Sequence, residues 1–175
     1  MRKRAQRALW LSVLLVTTLA VAGWLAVPDR PEGLRSTIAR EFPNVRWVDV
    51  PTLARWLTSD SPPALLDARA PAEFAVSHLR GAIWVDPDQP DLAALARLRP
   101  RRVVVYCSVG YRSAKVAQQL THAGFEQVWN LEGGIFAWAN SGKSVFAGGH
   151  AVRRVHPYDR VWGRYLEPEL RHSGD

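Results

Sequence analysis

V-V-V-Y-C-S-V-G-Y-R-S-A, residues 103 to 114, is the most informative stretch of the chain. Val103, Val104, Val105 and Tyr106 form a β-branched and aromatic run without polar alternation, the pattern of a strand covered on both faces in a parallel sheet. Cys107, the only cysteine among 175 residues, then falls at that strand's carboxyl end. Ser113 through Leu120 predicts a helix with Val116, Ala117 and Leu120 on one face and Gly124 as its stop. A strand, a tight loop and a helix start make a cradle for anionic chemistry. Loop N–H groups and the first-turn donors of a helix are unpaired there and favour negative charge. This is the setting expected of a nucleophilic thiolate. Gly110 permits the curvature, and Arg112 closes the loop with a permanent charge and a planar fork suited to an oxyanion.

Working outward, Gly33–Phe42 predicts a short amphipathic helix with Leu34, Ile38 and Phe42 on one stripe. Val45–Val50 reads as a strand, and Thr52 as the cap of a helix carrying Leu53, Trp56 and Leu57. Ala64–Ala68 is a second strand, Ala70–Ser77 a short helix, Ile83–Val85 a short strand, and Leu92–Leu98 a helix bounded by Asp91 and Pro100. After the central loop come a strand at Gln127–Leu131 and a helix at Gly134–Asn140. Strands alternating with helices call for a parallel sheet with helices on both faces, which binds ligands beyond the strands' carboxyl ends. Arg101 and Arg102 precede the central strand, so at about 3.3 Å per residue they lie roughly 17 to 20 Å from Cys107. Lys115, in the first turn after the loop, is near enough to reach a substrate.

The formal charge is +7, but Arg2, Lys3, Arg4 and Arg7 supply four of those charges. With no base-reading motif in the remainder, direct nucleic-acid binding is excluded as a function class. A single cysteine rules out an internal disulfide, a C-x-x-C redox pair and a thiolate-rich metal cluster, and the histidines show no metal spacing. Met1–Arg7 is a basic tail. Residues 8–27 then run without a charge for the length of a membrane-spanning helix, with Trp10 and Trp24 near its ends. The basic flank predicts a domain outside the cytoplasm. The alternative is a cleaved signal peptide with Ala20-Val21-Ala22 as its site. Residues 28–43 are a linker and short helix, 44–142 the main domain, and 143–175 a C-terminal extension. In that extension Val155, Tyr158, Trp162, Tyr165 and Leu166 recur at helical spacing after Pro157. Such a segment calls for a surface to cover: the domain itself, a membrane or a partner.

The loop C-x-x-G-x-R resembles the active-site loop of the rhodanese sulfurtransferases. Leu65-Leu66-Asp67-Ala68-Arg69 with Glu73-Phe74, His78 and Gly81-Ala82 is similar to that family's first signature. Gly124-Phe125 through Val128, then Leu131-Glu132-Gly133-Gly134-Ile135 and Trp138, is similar to its last. The chain departs from the pattern at Ser77, where the family usually has Gly, and at Arg80, often Pro. The resemblance implies an α/β, three-layer rhodanese-like fold with a mainly parallel central sheet flanked by helices, here preceded by one transmembrane helix.

It implies a function as well. Cys107 would take a sulfane sulfur from a donor such as thiosulfate, hold it as a persulfide, and pass it to cyanide or a thiol. Ser108, Val109, Gly110, Tyr111, Arg112 and Ser113 would bind the substrate, with Asp67 and Arg69 as supporting residues. Read from the residues themselves, Asp67, Arg69 and Glu73 form a local acid-base network near the loop, with a structural rather than a chemical role. His78 matches a structural position. No metal or organic cofactor is implied. Two other classes share the architecture: a non-catalytic binding module, and a cysteine phosphatase or arsenate reductase. Cysteine phosphatases carry five residues between Cys and Arg, whereas here four separate Cys107 from Arg112.

Overall fold

The apolar run before Cys107 forms the middle strand of a five-stranded parallel sheet. The computed structural model describes residues 31–174. The predicted membrane span at residues 8–27 lies outside them. Among the described residues no helix is long and apolar enough to cross a membrane.

The order is α1 (Pro31–Glu41), β1 (Arg46–Val48), α2 (Val50–Leu57), β2 (Ala64–Asp67), α3 (Pro71–Val76), β3 (Ile83–Trp84), β4 (Arg102–Tyr106), α4 (Tyr111–His122), β5 (Gln127–Leu131) and α5 (Gly134–Asn140). A hairpin of β6 (Val145–Ala147) and β7 (His150–Val152) follows. The sheet runs β1-β5-β4-β2-β3, every pair parallel, flanked by helices. Residues from Arg35 onward form one unit.

Val103, Val104, Val105 and Tyr106 of β4 are fully buried, as an unalternating run requires. Each such aliphatic side chain contributes about 1.5–3 kcal/mol relative to exposure. The register sets Asp67 beside Tyr106 and Asn130 beside Val105, so the ends of β2, β4 and β5 meet at one edge. That edge holds Cys107.

Three local expectations are corrected. The first strand stops at Val48 because Asp49, not Thr52, caps α2: its carboxylate accepts the Thr52 N–H at 2.8 Å, and Val50 is already helical. Leu92–Leu98 is a run of turns ending in a 3₁₀ turn at Ala96–Leu98. Asp91 accepts the N–H groups of Ala93 and Ala94, and Leu95 and Leu98 are buried. An aspartate that bonds the backbone N–H groups two and three residues on favours a turn over a helix, and Asp91 holds the segment in that form.

The C-terminal extension is not a helix either. Besides the hairpin it contains 3₁₀ turns at Trp162–Tyr165 and Pro168–Leu170. Pro157 and Gly163 interrupt the periodic stretch and Pro168 stands just past its end, so no α-helix propagates there. The apolar residues still find cover: Val155, Tyr165 and Leu166 are buried. Phe146 and His78 exchange both backbone hydrogen bonds, and the Asn140 side chain bonds Tyr165 O and Glu167 N–H. The extension therefore docks back onto the domain.

Candidate active site

Helix α4 begins at Tyr111, two residues before the periodic pattern, so the loop proper is Ser108–Gly110 and Arg112 and Ser113 lie in the first helical turn. Gly110 takes φ +113° and directs its N–H at Cys107 Sγ, 3.1 Å away. The loop carbonyls are tied outward. Asn130 Nδ2 donates to Gly110 O at 2.8 Å, Ile135 N–H to Cys107 O at 2.9 Å and Phe136 N–H to Ser108 O at 3.2 Å. With the carbonyls turned toward β5 and α5, the sulfur faces a donor and the positive end of α4. Cys107 itself is 1% exposed, so only a group entering the loop reaches it.

Arg112 does not present a vacant fork. Its Nη1 and Nη2 pair with Glu73 Oε2 and Oε1 at 2.7 and 2.9 Å, and Nη2 also donates to Ser108 Oγ at 3.0 Å. Ser108 Oγ in turn donates to Glu73 Oε1 at 2.8 Å. Glu73 also accepts the Ala70 N–H, closing the first turn of α3. Burial pushes the Glu73 carboxyl up, but the hydrogen bonds and charge of Arg112, with those of Ala70 and Ser108, hold it below the usual carboxylate range. Burial acts to lower the Arg112 value, and its bonds to Glu73 and the nearby Cys107 and Glu73 charges carry it upward on balance. Arg112 is thus a fixed cation at the loop's rim, held by a carboxylate that is 2% exposed.

The other expected site residues divide. Tyr111 projects outward, its hydroxyl donating to Glu41 at 2.6 Å and its ring edge-on to Phe42. Val109 is buried, and Ser113 Oγ is buried without a hydrogen-bond partner. Asp67 and Arg69, both fully buried, bond each other through Nε and Nη2, and Arg69 also reaches Ser77 O. This pair makes no hydrogen bond to the loop side chains, so the expected single network is two hydrogen-bonded groups: Asp67 with Arg69, and Glu73 with Ser108 and Arg112. Lys115, expected near the substrate, pairs with Asp88 at 2.9 Å. His78 stacks on Phe74 and bonds its carbonyl, a structural placement. Among the described residues no three His, Cys, Asp or Glu side chains group as a metal site.

Asn130 is the residue that sequence reading missed. It is fully buried, and its Oδ1 has no hydrogen-bond partner. Its one sequence signal is an amide inside an otherwise apolar strand core, which demands a partner when buried.

The rhodanese-like domain family model matches residues 49–141. A sulfurtransferase of Allochromatium vinosum is 32% identical over 103 residues, covering 59% of this chain and 96% of that protein. A probable adenylyltransferase/sulfurtransferase MoeZ of Mycobacterium tuberculosis is 38% identical over 89 residues, half of this chain. The chain spans only 23% of the length of that relative. Among solved structures, a thiosulfate sulfurtransferase from Pseudomonas aeruginosa superposes with a TM-score of 0.54 at 30% identity, covering 61% of this chain and 20% of that one.

Proposed function

Because this chain belongs to the rhodanese-like domain family, we propose that it transfers sulfane sulfur through a persulfide on Cys107. The observation that carries the reading is Cys107 Sγ, accepting the Gly110 N–H at 3.1 Å at the start of α4. That arrangement stabilises a thiolate, and equally the terminal sulfur anion that replaces it.

In the first step the Cys107 thiolate attacks the outer sulfur of thiosulfate. A new S–S bond forms, the S–S bond of thiosulfate breaks, and sulfite leaves with the electron pair. In the second step cyanide or a thiolate attacks the terminal sulfur and the Cys107 thiolate returns as leaving group. The two steps are nucleophilic exchange at sulfur and need no external oxidant or reductant. Arg112 contributes a fixed positive charge at the rim, and Glu73 with Ser108 keeps it there. The Asp67–Arg69 pair supports the end of β2 beside Tyr106.

The test is steady-state turnover. Thiosulfate with cyanide should yield thiocyanate, and an aryl phosphate should give negligible turnover, since the shorter Cys-to-Arg spacing encloses a sulfur atom and crowds a phosphate. Aryl phosphate turnover abolished by Cys107→Ser would move the protein to the phosphatase class. Absence of both activities would leave a binding module.

We also propose that residues 8–27 anchor the chain with the domain outside the cytoplasm. The support is the basic tail Met1–Arg7 before an uncharged run. A reporter fused after Asp175 should behave as exported, and cytoplasmic reporter activity contradicts the orientation. A mature N-terminus at Gly23 would select a secreted form.

A further inference from the structure

Tyr158 belongs to the C-terminal extension, beyond the residues that match the family, yet its ring lies over the Arg112 guanidinium, 4.7 Å from centroid to Cζ. It is the one described non-glycine residue with positive φ, +67°. Asp159 N–H bonds Pro157 O at 3.0 Å across it, which makes Pro157–Asp159 a γ-turn of the rarer, strained hand. The turn is fixed from both sides. Tyr158 N–H donates to His156 Nδ1 at 3.0 Å, and the Asp159 carboxylate accepts the N–H groups of Val161 and Trp162. Gly163 packs closely on Pro157.

A side chain carried on a strained backbone is normally held there by burial, but Tyr158 is 45% exposed. The strain therefore does not seal the ring into the core. What it secures is the position of one ring. The edges of the Arg112 guanidinium are engaged by Glu73 and Ser108, and the Tyr158 ring covers a face. Backbone strain kept where a side chain meets an active loop is the pattern of a functional constraint.

We propose that Tyr158 is a positioning residue: the extension supplies a ring that holds the Arg112 charge at the mouth of the Cys107 loop and so favours anionic sulfur donors over neutral ones. The effect on donor choice rests on the sulfur-transfer reading; the placement of Arg112 does not.

Alkylation of Cys107, the sole thiol, tests the placement without turnover. Iodoacetate carries a negative charge and iodoacetamide does not, so the ratio of their rates reports the field that Arg112 creates at the sulfur. Tyr158→Gly accepts the positive φ without strain, so its melting temperature should equal or exceed that of the wild type, while the rate ratio should fall about two- to five-fold, the range of a half-exposed cation–π contact. Tyr158→Phe keeps the ring and should keep the ratio. With thiosulfate the glycine variant should show a raised KM and a nearly unchanged kcat. A wild-type ratio in Tyr158→Gly overturns the assignment. So does a melting temperature several degrees lower, which would make the ring a structural contact. If the wild type never loads sulfur, the sulfur-transfer reading fails while the alkylation ratio still decides the role of Tyr158.

Discussion

Gly134→Ala is expected to lower the melting temperature by roughly 6–20 °C and to abolish activity at temperatures where the wild type is stable. A Cβ at this position would stand 2.3 Å from Cys107 O and 2.6 Å from Ser108 O, both backbone atoms of the active loop. Neither can yield without moving the loop. Gly134 also has φ +57°, which L residues adopt at a cost of about 1–2 kcal/mol. Overpacking adds about 1–3 kcal/mol. At about 3–4 °C per kcal/mol for a domain of this size, the two together give the stated shift. Gly124→Ala is the control. Its φ of +84° carries the backbone cost, but no atom lies within 4 Å of the added carbon, so its loss should stay near the backbone value alone. The physical reason for the glycine is that α5 must bring the N–H groups of Ile135 and Phe136 onto the carbonyls of Cys107 and Ser108.

Arg112→Ala is expected to slow sulfur loading about ten- to a thousand-fold, the range set by removing one oxyanion-type donor. It should also destabilise the fold. The sequence suggests a cation whose loss affects loading more than folding; the structure shows that its loss strands the Glu73 carboxylate, which is 2% exposed. Removing one partner of a buried pair costs about 3–5 kcal/mol, and because Arg112 is partly exposed and Glu73 keeps the Ala70 and Ser108 donors, about 2–4 kcal/mol is expected here. The double variant Glu73→Gln/Arg112→Ala should recover much of the stability and none of the loading rate. Arg112→Lys should recover part of the rate as charge without the fork. A single Arg112→Ala variant that loads at the wild-type rate makes the cation a bystander.

The same pair sets an acid limit. Glu73 has a depressed folded-state value, so its contribution is present above the ordinary carboxylate range and is lost as pH falls through that depressed value. The wild-type melting temperature should therefore fall below about pH 4, and Glu73→Gln should flatten that part of the profile.

The sheet and the loop are legible in the sequence because both are written in local pattern. Val103–Tyr106 has no polar alternation, and such a run has one comfortable place, the centre of a parallel sheet. Gly133-Gly134 stands in the sequence only as part of a family-like motif; that Gly134 lies against the Cys107 and Ser108 carbonyls is visible only in the fold. What was not legible depends on residues far apart in sequence. Nothing near Arg112 says that Glu73, 39 positions away, will occupy its fork. Asn130 is hidden in an apolar strand, and its partner is a loop carbonyl that only the fold brings near. Tyr158 falls on a helical period with Trp162 and Tyr165, but proline and glycine break the helix, and the ring is placed by a γ-turn that periodicity does not encode.

The central claim is that Cys107 carries sulfur, and the most direct measurement is the mass of the intact protein after incubation with thiosulfate. The wild type should gain one sulfur atom and lose it when cyanide is added. Cys107→Ser should gain none, since a hydroxyl at the start of α4 is far less ionised than a thiol. A wild-type mass that stays unchanged with every sulfane donor tried, or a gain that survives Cys107→Ser, would contradict the account.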